Sequence, residues 1–366
     1  MDAEEVEVGS RDIESSDVEV EVDTGAVDAG LGDVASPDLD AGICGAPPGD
    51  IPGWDILRPV GVEVLVAKQA WPRSMTLLDN RIFWGNYSIN SAIQTVDVQG
   101  CHSATVASPQ FEPYSVSSDG QRVYWVQGGG ELMAFEPSRN RTTQLASGIN
   151  PYSGLAFVGT DIYSVGGDCV LRVVHSGNAQ PEDASAAHEG RGLNALASEG
   201  MVLYSCTEPN RLFEFNPVTG DSTLLLSRTT RITAFVRTST NVVILGEDTC
   251  SSFLDACSTL PRPGCCPGRI ISVDVLAGTT STIALDSVSS PISMTSDGEN
   301  IYWSNFIEIR RTRTSSRAGS GLIAVPIQGY AESLQVGGDY LYWVNPNRRL
   351  DMVNRDGTIA RLRLPR

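Results

Sequence analysis

Lysine is nearly missing from this chain: Lys68 is the one example, against 25 Arg. That bias suits a GC-rich genome and carries no functional information. Histidine is almost as scarce, with His102, His175 and His188 far apart along the chain. Nothing in their spacing gathers them for proton transfer. No apolar run approaches the ~18 residues that a membrane-spanning helix needs, and no secretory leader opens the sequence as given. HExxH, Walker A and GxSxG are all missing, as is the EF-hand calcium loop. The signatures of zinc proteases, P-loop enzymes and α/β hydrolases are therefore not found. No CxxC spacing marks a zinc or redox site. No window carries the apolar spacing of a long amphipathic helix.

What is present is a phrase that recurs. The chain reads LDNRIFWGN at 78–86, SDGQRVYWVQ at 118–127, GTDIYSVG at 159–166 and SEGMVLYSCT at 198–207. It continues with TNVVILGED at 240–248, SDGENIYWSN at 296–305 and GGDYLYWVN at 337–345. Trp84, Trp125, Ser164, Ser205, Ile244, Trp303 and Trp343 are equivalent, about 40 residues apart. The step into the sixth unit is about 19 residues longer. Within a unit, apolar runs of four to six residues alternate with Gly, Pro, Asn and Asp, the pattern of short strands and tight turns. Four short strands per 40 residues, seven times over, is the arithmetic of an all-β, seven-bladed β-propeller of four-stranded antiparallel blades, over about residues 56–366. Six blades is the alternative. Trp84, Tyr124, Trp125, Tyr163, Tyr204, Tyr302, Trp303, Tyr342 and Trp343 are expected to pack between blades. VEVLVA at 62–67 and TIARLRL at 358–364 each read as an extra strand, one of which completes the blade at the seam.

IYWSNFIEIRR at 301–311, LYWVN at 341–345 with NRDG at 354–357, and VYWVQ at 123–127 resemble the YWTD propellers of lipoprotein-receptor ectodomains. The likeness covers three or four of the seven units. The Thr-Asp pair of that family is missing, and its propellers have six blades. The chain looks more like a bacterial secreted propeller of the broad YWTD, NHL and TolB-like kind. That resemblance implies binding or scaffolding more than catalysis, and fold alone does not decide function.

Residues 1–50 are a different material. They carry 15 acidic residues, one Arg and no aromatic. Such a segment cannot bury enough apolar surface to offset the entropy of ordering, so it reads as a disordered acidic tail. Its Asp/Gly/Ala-rich composition is similar to the spacer of bacterial lipoproteins, which implies a lipid anchor upstream of the given sequence. The Arg-rich end, Arg310, Arg311, Arg313, Arg317, Arg348, Arg349 and Arg355, offers a basic flank for an anionic partner or the acidic tail; ordinary solvated Arg is the plainer reading. A net charge of −18 argues against nucleic acid.

The eight cysteines, an even number, point to disulfides in an oxidising compartment. Cys169 and Cys206 lie one blade apart at matching places. Cys44 and Cys101 remain as a tie between tail and first blade. Cys250, Cys257, Cys265 and Cys266 crowd into an insert at 247–268, between the second and third strands of the fifth unit. A zinc site there is the alternative, poorly matched by the vicinal Cys265 and Cys266.

Propellers that act on ligands use the channel mouth. The inner strands start near Ser74, Ser115, Ser153, Asn194, Thr233, Ser293 and Ser333, small polar residues able to bind water or a sugar-like ligand. Around them, Trp71, Arg73, Tyr114, Tyr152, Arg231 and Glu332 form the candidate binding surface, with loop capping as the plain reading. Glu332 has no matched His, so a streptogramin-lyase type of site is not assembled. The expectation is an extracytoplasmic, monomeric binding or scaffold propeller, taking a protein or glycan partner at this face and needing no cofactor or metal. A propeller hydrolase or lyase with its site at the mouth is the alternative.

Overall fold

The computed structural model describes residues 61–364, apart from 88–90, 189–190, 199, 208–209, 240, 249–267, 285–290, 306–307, 315–320, 325–330 and 347–356. The acidic tail, Cys44, the four insert cysteines, and Arg317, Arg348, Arg349 and Arg355 lie outside the described residues. Seven four-stranded antiparallel sheets are arranged as a propeller. The innermost strands of blades 1 to 7 are Pro72–Leu78, Tyr114–Ser118, Leu155–Val158, Arg191–Ser198, Arg231–Ser239, Ser293–Ser296 and Glu332–Gly337.

The second strands carry the recurring aromatic phrase and are buried along almost their whole length. VYWV at 123–126 and IYW at 301–303 present buried side chains to both faces of the blade. A strand covered on both faces tolerates an unbroken apolar run instead of strict alternation. The buried residues fall into seven separate apolar clusters, one at each junction between neighbouring blades. Trp84 of blade 1 packs with Tyr342 and Val344 of blade 7, and Trp125 of blade 2 with Leu78 and Phe83 of blade 1. Trp303 meets Ile244 and Ile270 of blade 5. Each of these indoles withdraws roughly 200 Å² from water, an upper bound of about 5 kcal/mol. Seven junctions for seven blades means that the ring closes on itself, and six blades is ruled out.

Closure uses both terminal strands, where the sequence suggested one. Blade 7 takes its third strand, Gly357–Arg363, from the C-terminal end and its outermost strand, Val62–Gln69, from the N-terminal side. From Glu332 onward the described residues supply three strands, and the early strand completes the blade and covers its open edge. Glu63 faces Arg361 across this seam. Its Oε2 accepts from Arg361 Nε at 2.8 Å and Nη2 at 2.6 Å, and the guanidinium lies 4.3 Å from the Tyr340 ring centroid.

Cys169 and Cys206 are joined, with Cα atoms 5.7 Å apart, tying blade 3 to blade 4. Cys101 is also disulfide-bonded. In blade 5, Val242–Asp248 pairs with Gly268–Asp274, so Glu247, Asp248 and Gly268 belong to the sheet and the insert proper is 249–267. No helix among the described residues is long and apolar enough to cross a membrane.

Candidate functional site

Five blades begin their inner strand in a similar way. Pro72-Arg73-Ser74, Pro113-Tyr114-Ser115, Pro151-Tyr152-Ser153, Pro291-Ile292-Ser293 and Ala331-Glu332-Ser333 are equivalent. Proline suits a strand's first positions, where no ladder donor is needed. In blades 1, 2 and 7 the pairing register then shifts, between Pro72 and Ser74, Tyr114 and Ser117, and Glu332 and Gln335. Such bulges re-aim side chains at the end of a sheet. Ser115 and Ser333 adopt left-handed backbone, with φ of 52° and 53°, a conformation that costs a non-glycine residue on the order of 1 kcal/mol.

The middle residue of each triplet turns toward the channel mouth. Arg73, Tyr114, Tyr152, Ile292 and Glu332 line one cavity of about 370 Å³ at the meeting of blades 1, 2, 3, 6 and 7. Four of the six expected binding residues are thus brought together. Trp71 stands beside them, its ring 5.1 Å from that of Tyr87. Tyr87 then packs 4.9 Å from Tyr114, and Tyr114 4.9 Å from Tyr152. Interplanar angles of 58–85° make these edge-on and tilted contacts, the arrangement that ring quadrupoles favour. The Arg73 guanidinium lies 5.9, 5.6 and 5.9 Å from the centroids of Trp71, Tyr87 and Tyr114, within cation–π range. Its Nε is 3.7 Å from Glu332 Oε2, and both side chains are largely shielded. Burial, together with the phenols of Tyr87 and Tyr152 within hydrogen-bonding reach, pushes the Tyr114 hydroxyl well above its ordinary range. It stays protonated at any physiological pH.

Ser74, Ser115, Ser293 and Ser333 line the same cavity, and they also tie the blades together. Ser74 donates to Val116 O of the next blade, and Ser115 to Ser153 O and Pro151 O. Ser333 accepts from Met75 N and donates to Met75 O, each at 3.1 Å. Ser293 accepts from Leu334 N. Gln335 adds two bonds to blade 1, from Leu77 N and to Met75 O. These hydroxyls join neighbouring inner strands, because antiparallel pairing stops at each blade's inner edge and leaves that strand's backbone groups in need of partners.

Arg231 does not join the cavity. Blade 5 has Arg231-Ile232-Thr233 where others have the triplet, and Ile232 is buried. Arg231 instead faces Asp248 across the strand pair, and its Nη2 lies 2.6 Å from Asp248 Oδ2. Beside it, the fully buried Glu247 takes Arg228 of blade 4 at 3.0 Å and Arg269 at 2.7 Å. A buried carboxylate of this kind is tolerable only when paired. The root of the insert is therefore fixed by two carboxylates and three Arg. Arg310, in the expected basic flank, is paired with Glu308.

Tyr87 is the residue that sequence reasoning missed. It follows the second strand of blade 1, outside any strand pattern, and only the curvature of the ring brings it to Tyr114. Aligning the Pro-x-Ser triplets would have found Ile292. The three His are separate: His102 against Asp97, His175 against Asp161, and His188 stacked 4.1 Å from Phe213. Among the described residues no group of three His, Cys, Asp or Glu side chains gathers as a metal-ligand set.

No protein-family model matches the sequence, and no curated protein is similar to it in sequence. Solved structures are similar in fold. One is titled "Structure of U3-55K", 14% identical, covering 84% of this chain and 100% of its own, with a TM-score of 0.61. An oligogalacturonate lyase in complex with manganese is 9% identical over 84% of this chain and 95% of its own, with a TM-score of 0.59. The computationally designed Ika8 protein is 13% identical over 82% and 98%, with a TM-score of 0.55. Identities this low speak for the propeller fold and nothing finer.

Proposed function

We propose that this protein is a binding propeller whose recognition face is the channel mouth over blades 1, 2, 3 and 7, and that it works outside the cytoplasm as a monomer. One observation carries the reading: Arg73, Tyr114, Tyr152 and Glu332, from four blades, converge on a single cavity with Trp71 and Tyr87 beside them. Pockets with aromatic walls and a few convergent polar groups are the usual form of a ligand site. The disulfides favour an oxidising compartment, in keeping with a bacterial secreted or lipid-anchored propeller of the YWTD, NHL or TolB-like kind. Binding is favoured over the hydrolase or lyase reading by the lining itself. Among the described residues it holds one carboxylate, Glu332, set against Arg73, and no imidazole, so no acid and base stand ready for proton transfer.

The test is capture. Full-length protein and its Tyr152→Ala variant are immobilised and exposed to envelope and extracellular extracts of the source cells. Material retained by the wild type and lost from the variant supports the reading. Equal recovery on both moves the site away from the mouth.

A further inference from the structure

We infer that the channel mouth binds a neutral oligosaccharide, an inference that rests on the binding reading above and gives its ligand a chemical class.

Three features of the mouth converge on this class. The first is charge balance. Arg73 and Glu332 face each other in the cavity wall, so the site offers a cationic donor and an anionic acceptor side by side. A charged ligand gains from one and is repelled by the other. A neutral polyol gains from both, since vicinal hydroxyls can donate to the carboxylate and accept from the guanidinium. The phenols of Tyr87, Tyr114 and Tyr152 add groups that donate and accept.

The second is the aromatic wall. Trp71, Tyr87, Tyr114 and Tyr152 touch in succession with ring centroids 4.9–5.1 Å apart, and the first three surround the Arg73 guanidinium. Tyr114 is buried as the floor, whereas Tyr152 is 70% exposed. A sugar ring presents weakly positive C–H groups that suit the negative face of an aromatic ring. Tyr152 is the ring of this wall that stands open to such a ligand.

The third is what the mouth does not suit. A quaternary ammonium would need the space among Trp71, Tyr87 and Tyr114, which the Arg73 guanidinium already fills. A stable protein interface buries about 800 Å² on each partner around an apolar centre. Of the large apolar side chains exposed among the described residues, only Phe111 and Tyr152 belong to the loops leading into inner strands on this face. The mouth is concave and mixed in polarity rather than broad and apolar. Anionic polymers would meet the Glu332 carboxylate beside the one guanidinium of the wall.

Native affinity electrophoresis of the full chain tests this directly. The gels contain xylan, mixed-linkage β-glucan or galactomannan as neutral probes, and polygalacturonate or heparin as anionic ones. The variants are Tyr152→Ala, Tyr152→Trp and Arg73→Gln, each checked by thermal melting for an intact fold. The expected result is retardation by at least one neutral probe, unchanged between 50 and 500 mM salt because no net charge is neutralised (roughly a Debye length of 14 Å against 4 Å). Tyr152→Ala should weaken it at least tenfold, Tyr152→Trp should restore it, and Arg73→Gln should weaken it without making it salt-sensitive. Retardation by the anionic probes alone, or by none of the neutral ones, overturns the inference. If the capture experiment still yields a protein held through Tyr152, the mouth remains a binding face with a different ligand. If neither experiment shows dependence on Tyr152, both readings fall.

Discussion

Asp119 and Asp297 begin the turns before the aromatic phrase, and each carboxylate does more than shape a turn. In blade 6, Asp297 accepts from the amides of Glu299 and Asn300 and from the Tyr302 hydroxyl at 2.7 Å. Asp119 treats Gln121, Arg122 and Tyr124 in the same way. Partial burial works against ionisation of Asp297, but these hydrogen bonds together outweigh it and hold the carboxyl below its ordinary range. The recurrence of Asp-Gly five residues before Tyr-Trp is thus explained by a bond that sequence periodicity could mark but not describe. Two of the interblade indoles have their own partners. Trp84 Nε1 donates to Gln69 Oε1 at 3.1 Å, and Trp125 Nε1 to Gln110 Oε1 at 2.8 Å, each acceptor coming from the preceding blade's outermost strand. Gln69→Leu leaves a buried N–H unsatisfied and should cost about 1–3 kcal/mol, read from urea denaturation. His188 gives a pH effect. Burial first, and the Arg211 charge second, push its imidazole below the ordinary value, while its Nε2 lies 2.9 Å from the Tyr204 hydroxyl. A group with a depressed folded pKa contributes stability above its unfolded pKa of about 6.5 and loses it as pH falls through the folded value. Unfolding free energy should therefore decline below about pH 6.5, and His188→Gln should flatten that first decline. A second decline, below about pH 4, belongs to Asp97, Asp168 and Asp297, whose carboxyls are also held low.

Strands and blades were more legible in the sequence than the individual contacts. Short apolar runs between turn residues give strands here because a strand covered on both faces needs no alternation. The strands that flank the extra residues of the fifth unit, Val242–Asp248 and Gly268–Asp274, pair with each other. What the pattern could not resolve was a shift of one residue. Arg231 looks like a mouth residue by proximity to Thr233, yet the bulge between Ile232 and Ala234 and its partner Asp248 turn it elsewhere. Since Asp248 already faces Gly268 across the pair, a two-residue Asn-Gly turn can join the strands. Replacing 249–267 in this way should leave the ring folded, with a melting temperature within a few degrees of the parent; failure to fold would make the segment structural. The link between Cys169 and Cys206 spans 37 residues and two blades. Changing both to Ala should cost about 2–4 kcal/mol by guanidinium denaturation, since the cross-link restricts the unfolded chain.

At the scale of the whole molecule, the period of 40 set the blade count, because a repeat that cannot cover its own faces must stack on copies of itself. The seam was only half legible. A single strand reads the same whether it starts a ring or finishes one, and pairing between residues 298 positions apart leaves no local mark. The structure makes the seam's dependence on both ends explicit. Starting the chain at residue 71 removes the outermost strand of blade 7, the carboxylate facing Arg361 and the acceptor for Trp84. Such a protein should expose the edge of Gly357–Arg363 and aggregate or lose its near-ultraviolet circular dichroism, as size-exclusion chromatography and spectroscopy would report. That strand pair also has a mechanical direction. Val62 faces Leu362 and Gln69 faces Gly357, so both chain ends leave from the same end of the pair. A pull on the two ends would peel the seam one rung at a time, the geometry least able to share a force among hydrogen bonds, and the second rung is Glu63 against Arg361. A pull on the mouth is carried instead by the inner strands and their serine links. The seam defined by the ring's own ends is thus loaded one hydrogen bond at a time.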